Sequence, residues 1–392
     1  MFRVCAPSVG FLFGLALALN SAPALAGTYR QLYAFQGRGD GAYPFAGLID
    51  VNGTLYGTTD GGDNGDHGTV FSLDPMAGSE TVLHSFLGGS DGAYPWGGLV
   101  QAGGRFYGTT NGGGAGDDGT VFWLNPRTRA EGVVYAFKGG SDGGGPEASL
   151  IKVRGSLFGT THAGGNAGGD GTVFSLDRKT GAETVACSFG NGTPDGPSAP
   201  RASLLNVGGT LYGTSAYGGI GGNGAVFSVN PKSNVCNLVY AFAGGSDASG
   251  PVANLTRVGD TLYGTTVYGG CASCFVGYGT VFAVDLTTGA ESIVYAFKGG
   301  SDAAYPYAGL VRIGSKLYGT TEDGGLHDFG AVFRIDTKTG AEAVLYSFQG
   351  GSDGAYPTSA LVDADGTLYG TTESGGSTNC SGGCGTVFSY VP

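Results

Sequence analysis

Charge is scarce in this chain. Only 13% of its 392 residues are Asp, Glu, Lys or Arg, and it holds two methionines, two tryptophans and four histidines. A disordered polyelectrolyte is excluded, because 41% apolar content with 21 Tyr and 22 Phe can bury a large core. Basic residues number 19 against 31 acidic ones and do not cluster, which argues against nucleic acid and anionic membranes as partners. There is no HExxH, nucleophile elbow or phosphate-binding loop. His67, His84, His162 and His327 fall at unrelated offsets, so their spacing supports neither a Ser/His/Asp triad nor a histidine metal site. No long apolar run occurs after residue 26.

Residues 1–26 read as a secretory leader: Arg3, an apolar run over 9–19, and Ala24-Leu25-Ala26 as the cleavage signal. The run is too short for a comfortable bilayer span. A protein of residues 27–392 is expected, monomeric and without a membrane span, in a secreted, periplasmic or extracellular setting. Losing Arg3 takes its formal charge from −12 to −13.

Glycine is abundant, 81 residues without a three-residue period, which suits short strands joined by tight turns. Self-similarity dominates the rest. Leu-Tyr-Gly-Thr-Thr and its variants place a glycine at 57, 108, 159, 213, 264, 319 and 370; Gly-Thr/Ala-Val-Phe places a phenylalanine at 71, 122, 174, 227, 282, 333 and 388. A Leu-Tyr-Ala-Phe-like block ends at 35, 86, 137, 189, 242, 297 and 348, and Ser-Asp-Gly-Ala-Tyr-Pro-like linkers place a proline at 44, 95, 146, 200, 251, 306 and 357.

In the first unit the strands are expected over 45–51, 54–59, 69–74 and 81–86, with Asn52-Gly53 and Asp74-Pro75 as turns. Apolar residues on both faces of each strand require neighbouring sheets on both sides. The predicted fold is all-β: a seven-bladed β-propeller of four-stranded antiparallel blades, over about 44–87, 95–138, 146–190, 200–243, 251–298, 306–349, and 357–391 with 28–35. A β-solenoid, with coils about half this length, is the runner-up. The N-terminal strand supplies the missing outer edge of the last blade and so closes the ring.

Lys316-Leu317-Tyr318-Gly319-Thr320-Thr321, Gly330-Ala331-Val332-Phe333 and the Gly-Ser-Asp-Gly-Ala-Tyr-Pro linker resemble a bacterial family of tandem-repeat proteins called GloVer-containing. The resemblance covers residues 27–392. It implies export and a propeller-like array, and it brings no activity with it. That family is known for varied surface-anchoring tails; here no anchor follows Pro392, which argues against surface attachment. The four-strand pattern also looks like kelch, whose signature is not matched.

The linker loop and the loop between second and third strands share one face of a meander, so ligand contacts are expected there. Three positions on that face vary. Before the proline stand Tyr43, Tyr94, Gly145, Ala199, Gly250, Tyr305 and Tyr356; after it Phe45, Trp96, Glu147, Arg201, Val252, Tyr307 and Thr358. After the Thr-Thr pair stand Asp60, Asn111, His162, Ala216, Val267, Glu322 and Glu373. Aromatics and carboxylates gather on blades 6, 7, 1 and 2. Rings that stack on sugar C–H faces, beside groups that hydrogen-bond hydroxyls, suit a carbohydrate. The competing reading has the tyrosines pack between blades and hold the proline turn.

The recurrent aspartates 40, 91, 142, 195, 247, 302 and 353 read as loop-fixing residues that accept backbone N–H groups. Calcium at Asp60, Asp63 and Asp66 is a weak alternative, since their spacing does not match an EF-hand loop. No other cofactor or metal is expected. Cys271/Cys274 and Cys380/Cys384 sit in the two longest loops between second and third strands and are expected to form two intraloop disulfides. A four-cysteine zinc site or a redox pair is less favoured. Cys187 and Cys236, at unmatched positions on neighbouring outer strands, are expected as free, partly buried thiols.

The favoured function is a non-catalytic binding or scaffold module that recognises carbohydrate or another extracellular ligand. One alternative is a glycan hydrolase or lyase using two of Glu322, Glu373 and Asp60 as acid and base. The other is a purely structural or protein-interaction propeller.

Overall fold

A computed structural model of the chain describes residues 27–62, 65–165, 169–190, 196–274 and 276–392. The expected leader, Asp63 and Asp195 lie outside them. Seven four-stranded antiparallel sheets follow one another around a ring. In the first, Ile49–Val51 lies innermost, followed outward by Thr54–Thr59, Thr69–Asp74 and Ser79–Ser85. The last blade consists of Val362–Ala364, Thr367–Thr372, Thr386–Val391 and the N-terminal strand Thr28–Ala34. That strand runs antiparallel to Thr386–Val391, from Thr28 opposite Val391 to Ala34 opposite Thr386. The ring is closed.

Inner strands are shorter than the sequence suggests: residues 45–48 stay irregular and only three residues pair. The counterparts of these residues in the other blades line one central cavity with them. The mid-strand glycine has a packing cause. A Cβ at Gly57 would sit 2.7 Å from the Phe71 ring and 2.8 Å from Leu48, so the phenylalanine beneath it allows no side chain.

Each blade is tied to the next by repeated contacts. The outer-strand phenylalanine stands edge-on to the third-strand phenylalanine of the following blade, as Phe35–Phe71, Phe86–Phe122, Phe137–Phe174, Phe189–Phe227, Phe242–Phe282, Phe297–Phe333 and Phe348–Phe388, with centroids 4.8–5.2 Å apart. Such pairs add about 0.5–1.5 kcal/mol beyond the burial of the rings. The first threonine of each pair donates to a carbonyl on the next blade; Thr371 Oγ1 to the Pro44 carbonyl, 3.0 Å, joins blade 7 to blade 1. In five blades the second threonine meets the threonine that opens its own third strand, as Thr59 Oγ1 and Thr69 Oγ1 do at 2.8 Å. Gly68, at φ +89, lies where a Cβ would come 2.6 Å from the Pro95 ring, which couples the Gly-Thr-Val-Phe glycine to the next blade's proline.

A second layer of ties runs along the outer wall. The six aspartates that fall in described residues do the structural work expected of them. In five, the carboxylate accepts the phenol of the tyrosine seven residues earlier: Tyr33–Asp40, Tyr135–Asp142, Tyr240–Asp247, Tyr295–Asp302 and Tyr346–Asp353. It also accepts a backbone N–H four residues back, as from Gln36 to Asp40. At Asp91 the partner is His84 Nε2, 3.2 Å away, in place of tyrosine. A glutamate opening the next blade's outer strand faces the aspartate at five junctions. Burial, then the aspartate's charge, pushes Glu80, Glu131, Glu183, Glu291 and Glu342 up to about 7.

Two junctions depart from this pattern. Between blades 6 and 7, Tyr29 takes the glutamate's place and stacks on Tyr346 with centroids 4.0 Å apart. Between blades 3 and 4, Cys187 stands where the tyrosine would be and Cys236 where the glutamate would be, and the two form a disulfide with Cα atoms 6.2 Å apart. This overturns the expectation of free thiols. The positions are matched after all, since Cys236 precedes Tyr240 by the four residues that separate Glu183 from Cys187. The expected Cys271–Cys274 and Cys380–Cys384 disulfides are both present.

Candidate functional site

The linker loop pairs with the loop between second and third strands within its own blade, as Ala42 with Gly61 and Ala303–Ala304 with Asp323–Gly324. Both loops therefore share one face. The residue before each proline adopts a left-handed backbone, with φ 52–60° at Tyr43, Tyr94, Ala199, Tyr305 and Tyr356 and 60° and 68° at Gly145 and Gly250. Two hydrogen bonds hold that conformation. Its N–H donates to the preceding blade (Tyr94 to the His67 carbonyl, 2.9 Å), and its carbonyl accepts from the residue after the threonine pair (Asp60 to Tyr43, 3.0 Å; Glu322 to Tyr305, 3.0 Å; Glu373 to Tyr356, 3.1 Å). This clamp brings the variable positions together at the channel mouth.

A cavity of about 520 Å³ fills that mouth, lined by all seven post-proline side chains together with Glu322 and Glu373. Phe45 and Trp96 lie side by side, centroids 6.2 Å apart and planes tilted by 40°. Trp96 Nε1 donates to Asp60 Oδ1 at 2.5 Å, which orients the indole. Tyr307 stands in blade 6, its phenol pushed up by burial and by Glu322. Around the arc from blade 6 to blade 1, Glu322, Glu373 and Asp60 feel one another. Burial, then Asp323 and Glu373, pushes Glu322 up to about 7. Burial and Asp60 raise Glu373; burial raises Asp60 against the pull of its Trp96 hydrogen bond. Three carboxyls so placed accept hydroxyl protons, and Glu322 can also donate one near neutral pH.

The opposite arc is not bare. Glu147 Oε1 lies 3.1 Å from His162 Nδ1 and Glu147 Oε2 lies 3.5 Å from Arg201 Nε. Burial raises Glu147, while Arg201 and then His162 pull it down. The sequence signal was there, since all three occupy variable positions. What was not visible was that clamped loops would let them touch.

The four tyrosines do not line this cavity. Tyr94 lies against His67, Tyr305 against Tyr278 and Tyr356 against Phe329, each on the preceding blade with centroids 5.9–6.0 Å apart. Tyr43 packs in the apolar cluster that includes Cys384. Asn111 Nδ2 is buried beside Gly145, also outside the lining. Asp66 Oδ1 accepts the Gly62 N–H at 2.8 Å and closes its own loop, a role repeated by Asp117 and Asp328. Among the described residues, Asp60 and Asp66 join no convergent set of metal ligands.

The repeat described as the Gloeobacter/Verrucomicrobia repeat matches residues 10–199, 89–278 and 272–392. Comparison with curated proteins found no match. Among solved structures, an oligogalacturonate lyase in complex with manganese superposes with TM-score 0.56 at 14% identity, over 90% of this chain and 89% of that one. A nidogen/laminin complex gives TM-score 0.43 at 16% identity, over 63% of this chain and 77% of that one. TolB from Acinetobacter baumannii gives 0.41 at 14%, over 70% and 58%. These likenesses concern the fold. Among the described residues no helix is long and apolar enough to cross a membrane.

Proposed function

We propose, for a chain that belongs to the Gloeobacter/Verrucomicrobia repeat family, a non-catalytic binding propeller that works outside the cytosol and takes a carbohydrate at the channel mouth. One observation carries this reading: Phe45, Trp96 and Tyr307 line the same cavity as Glu322 and Glu373. Aromatic faces accept the C–H surface of a pyranose, and nearby carboxylates accept its hydroxyls with charge-assisted bonds. About 520 Å³ falls within the range of small-ligand sites. Tyr94, Tyr305 and Tyr356, outside the lining, are then left to an outer rim that a longer glycan reaches, while Tyr43 and Asn111 support the loops from within. Three disulfides accord with an oxidising compartment.

The test is a glycan array probed with the protein, followed by calorimetry on hits. Binding lost in Trp96→Ala and Glu373→Gln with an unchanged fold supports the reading; a silent array with folded protein removes it.

One observation favours a second reading. Glu322, pushed up to about 7 beside a second raised carboxyl, has the environment of a general acid. Release of sugar products that vanishes in Glu322→Gln would convert the binding module into an enzyme. If array and assay are both silent while another extracellular protein binds this face, the mouth is a protein-interaction surface.

A further inference from the structure

The ring repeats one polar junction along its outer wall, and the copy between blades 1 and 2 differs in a single chemical respect. At the position of Tyr33, Tyr135, Tyr240, Tyr295 and Tyr346 it carries His84. A neutral phenol there donates to the aspartate, whereas an imidazole offers a nitrogen lone pair that a metal ion can take. We propose that His84, Asp91 and Glu131 bind a divalent transition-metal ion of the zinc class, which clasps blade 1 to blade 2.

The three side chains already face one another. One ligand atom from each residue lies within 4.8 Å of the others. His84 Nε2 and Asp91 Oδ2 are 3.2 Å apart, close to the ligand–ligand separation around a tetrahedral ion bound at about 2.0–2.2 Å. The imidazole stands edge-on to Phe86, with centroids 4.8 Å apart at 85°, which limits its rotation. Asp91 is fixed by the Leu87 N–H at 2.8 Å. Glu131 comes from the other blade, and its Oε1 is shielded from solvent, as is that of Glu80, Glu183, Glu291 and Glu342 at the junctions with tyrosine, so it is the imidazole that sets this junction apart.

One imidazole and two carboxylates form a donor set that suits zinc, with a fourth position for water. Two carboxylates side by side in a half-buried wall repel unless a proton or a cation stands between them. At the four junctions that pair tyrosine with glutamate no nitrogen ligand is available, so the ring contains its own controls. The site lies on outer strands, and its fate is independent of any ligand at the mouth. Its place in the architecture parallels the Cys187–Cys236 bridge, which fastens blades 3 and 4 through the same pair of positions.

The full mature protein, stripped with chelator, is titrated separately with zinc, manganese and calcium chlorides by calorimetry, and its Tm is followed in parallel. One equivalent of zinc is expected, with a Tm that climbs as zinc is added. His84→Tyr installs the residue found at five other junctions and so retains the fold. It should weaken zinc binding by at least roughly tenfold, the scale lost even when outer-shell partners are removed. Glu131→Gln should do likewise, whereas His162→Ala and His327→Ala should bind as the parent does. Absence of zinc binding, undiminished binding in folded His84→Tyr, or loss of binding in His162→Ala or His327→Ala would each overturn the assignment.

Discussion

The junctions between blades and the ring at the channel mouth are built from the same seven repeats, yet they treat sequence in opposite ways. At the junctions the Phe35–Phe71 arrangement recurs seven times, with centroid distances that differ by no more than 0.4 Å. At the mouth the seven post-proline positions hold seven different residues: Phe45, Trp96, Glu147, Arg201, Val252, Tyr307 and Thr358. Backbone clamps alone set the mouth geometry, through the left-handed residue before proline, so the side chains there are released from any duty to the fold. Variation is tolerated where packing does not decide, and such positions are where a binding specificity can be written.

The comparison breaks if both regions respond alike to truncation. Phe122→Ala removes one of the fully buried rings and should cost ~3–5 kcal/mol in chemical denaturation. Val252→Ala at the mouth should stay within about 1 kcal/mol. Next in size is the blade 3–4 bridge. Cys187→Ser with Cys236→Ser opens a 49-residue loop and should lower stability by ~2–4 kcal/mol. Opening the three-residue Cys271–Cys274 loop should cost less in the same assay. Equal losses for the two bridges would mean that loop closure is not what the long one contributes.

Smaller again is a pH effect confined to the wall. Glu80, Glu183, Glu291 and Glu342 are pushed up to about 7 from an ordinary 4.5. Between those values the folded state holds more protons than the unfolded one, so these groups make stability fall as pH rises from about 4.5 through 7. They are about half exposed, and solvent screening leaves on the order of 0.5 kcal/mol each. Asp336 works in the other direction. Lys316 holds it down at about 2, so its contribution disappears only as pH falls from about 4 through 2. Urea unfolding at pH 5 and pH 8 should show the higher midpoint at pH 5, with the gap narrowed in Glu183→Gln and Glu342→Gln. An optimum at pH 8 would contradict this account.

Much of this fold was legible because each repeated residue has one physical task. Gly57 makes room for Phe71, Gly68 meets Pro95 and Thr371 reaches Pro44; repetition marked these positions, and the fold shows what each one touches. Closure was legible too, since an outer-strand block precedes the first complete repeat and a third-strand block closes the last; the N-terminal strand ends one residue earlier than expected. The Cys187–Cys236 bridge was missed because the cysteines were compared with each other. Comparing each with its own repeat puts one at the tyrosine position and the other at the glutamate position, which meet at every junction. The Glu147–His162–Arg201 cluster was missed for a related reason. Its members belong to two variable columns, and only the carbonyl of the residue before each proline brings those columns into contact.

The smallest effect sharpens the comparison most. Asp60→Asn keeps the size of the side chain but removes the charge that orients Trp96 through its indole N–H. Because Asp60 also raises Glu373, the substitution should let Glu373 ionise more readily. Stability should move by no more than about 0.5 kcal/mol, since no packed contact is lost. The chain has only two tryptophans, and Trp123 lies under Arg105 on another surface. The emission change in Asp60→Asn should therefore come from Trp96 and vanish when the substitution is made in a Trp96→Phe background. A mouth held by its side chains rather than by its backbone would instead lose stability on this change, at a scale approaching that of the junction variants, and the two regions would no longer be distinct.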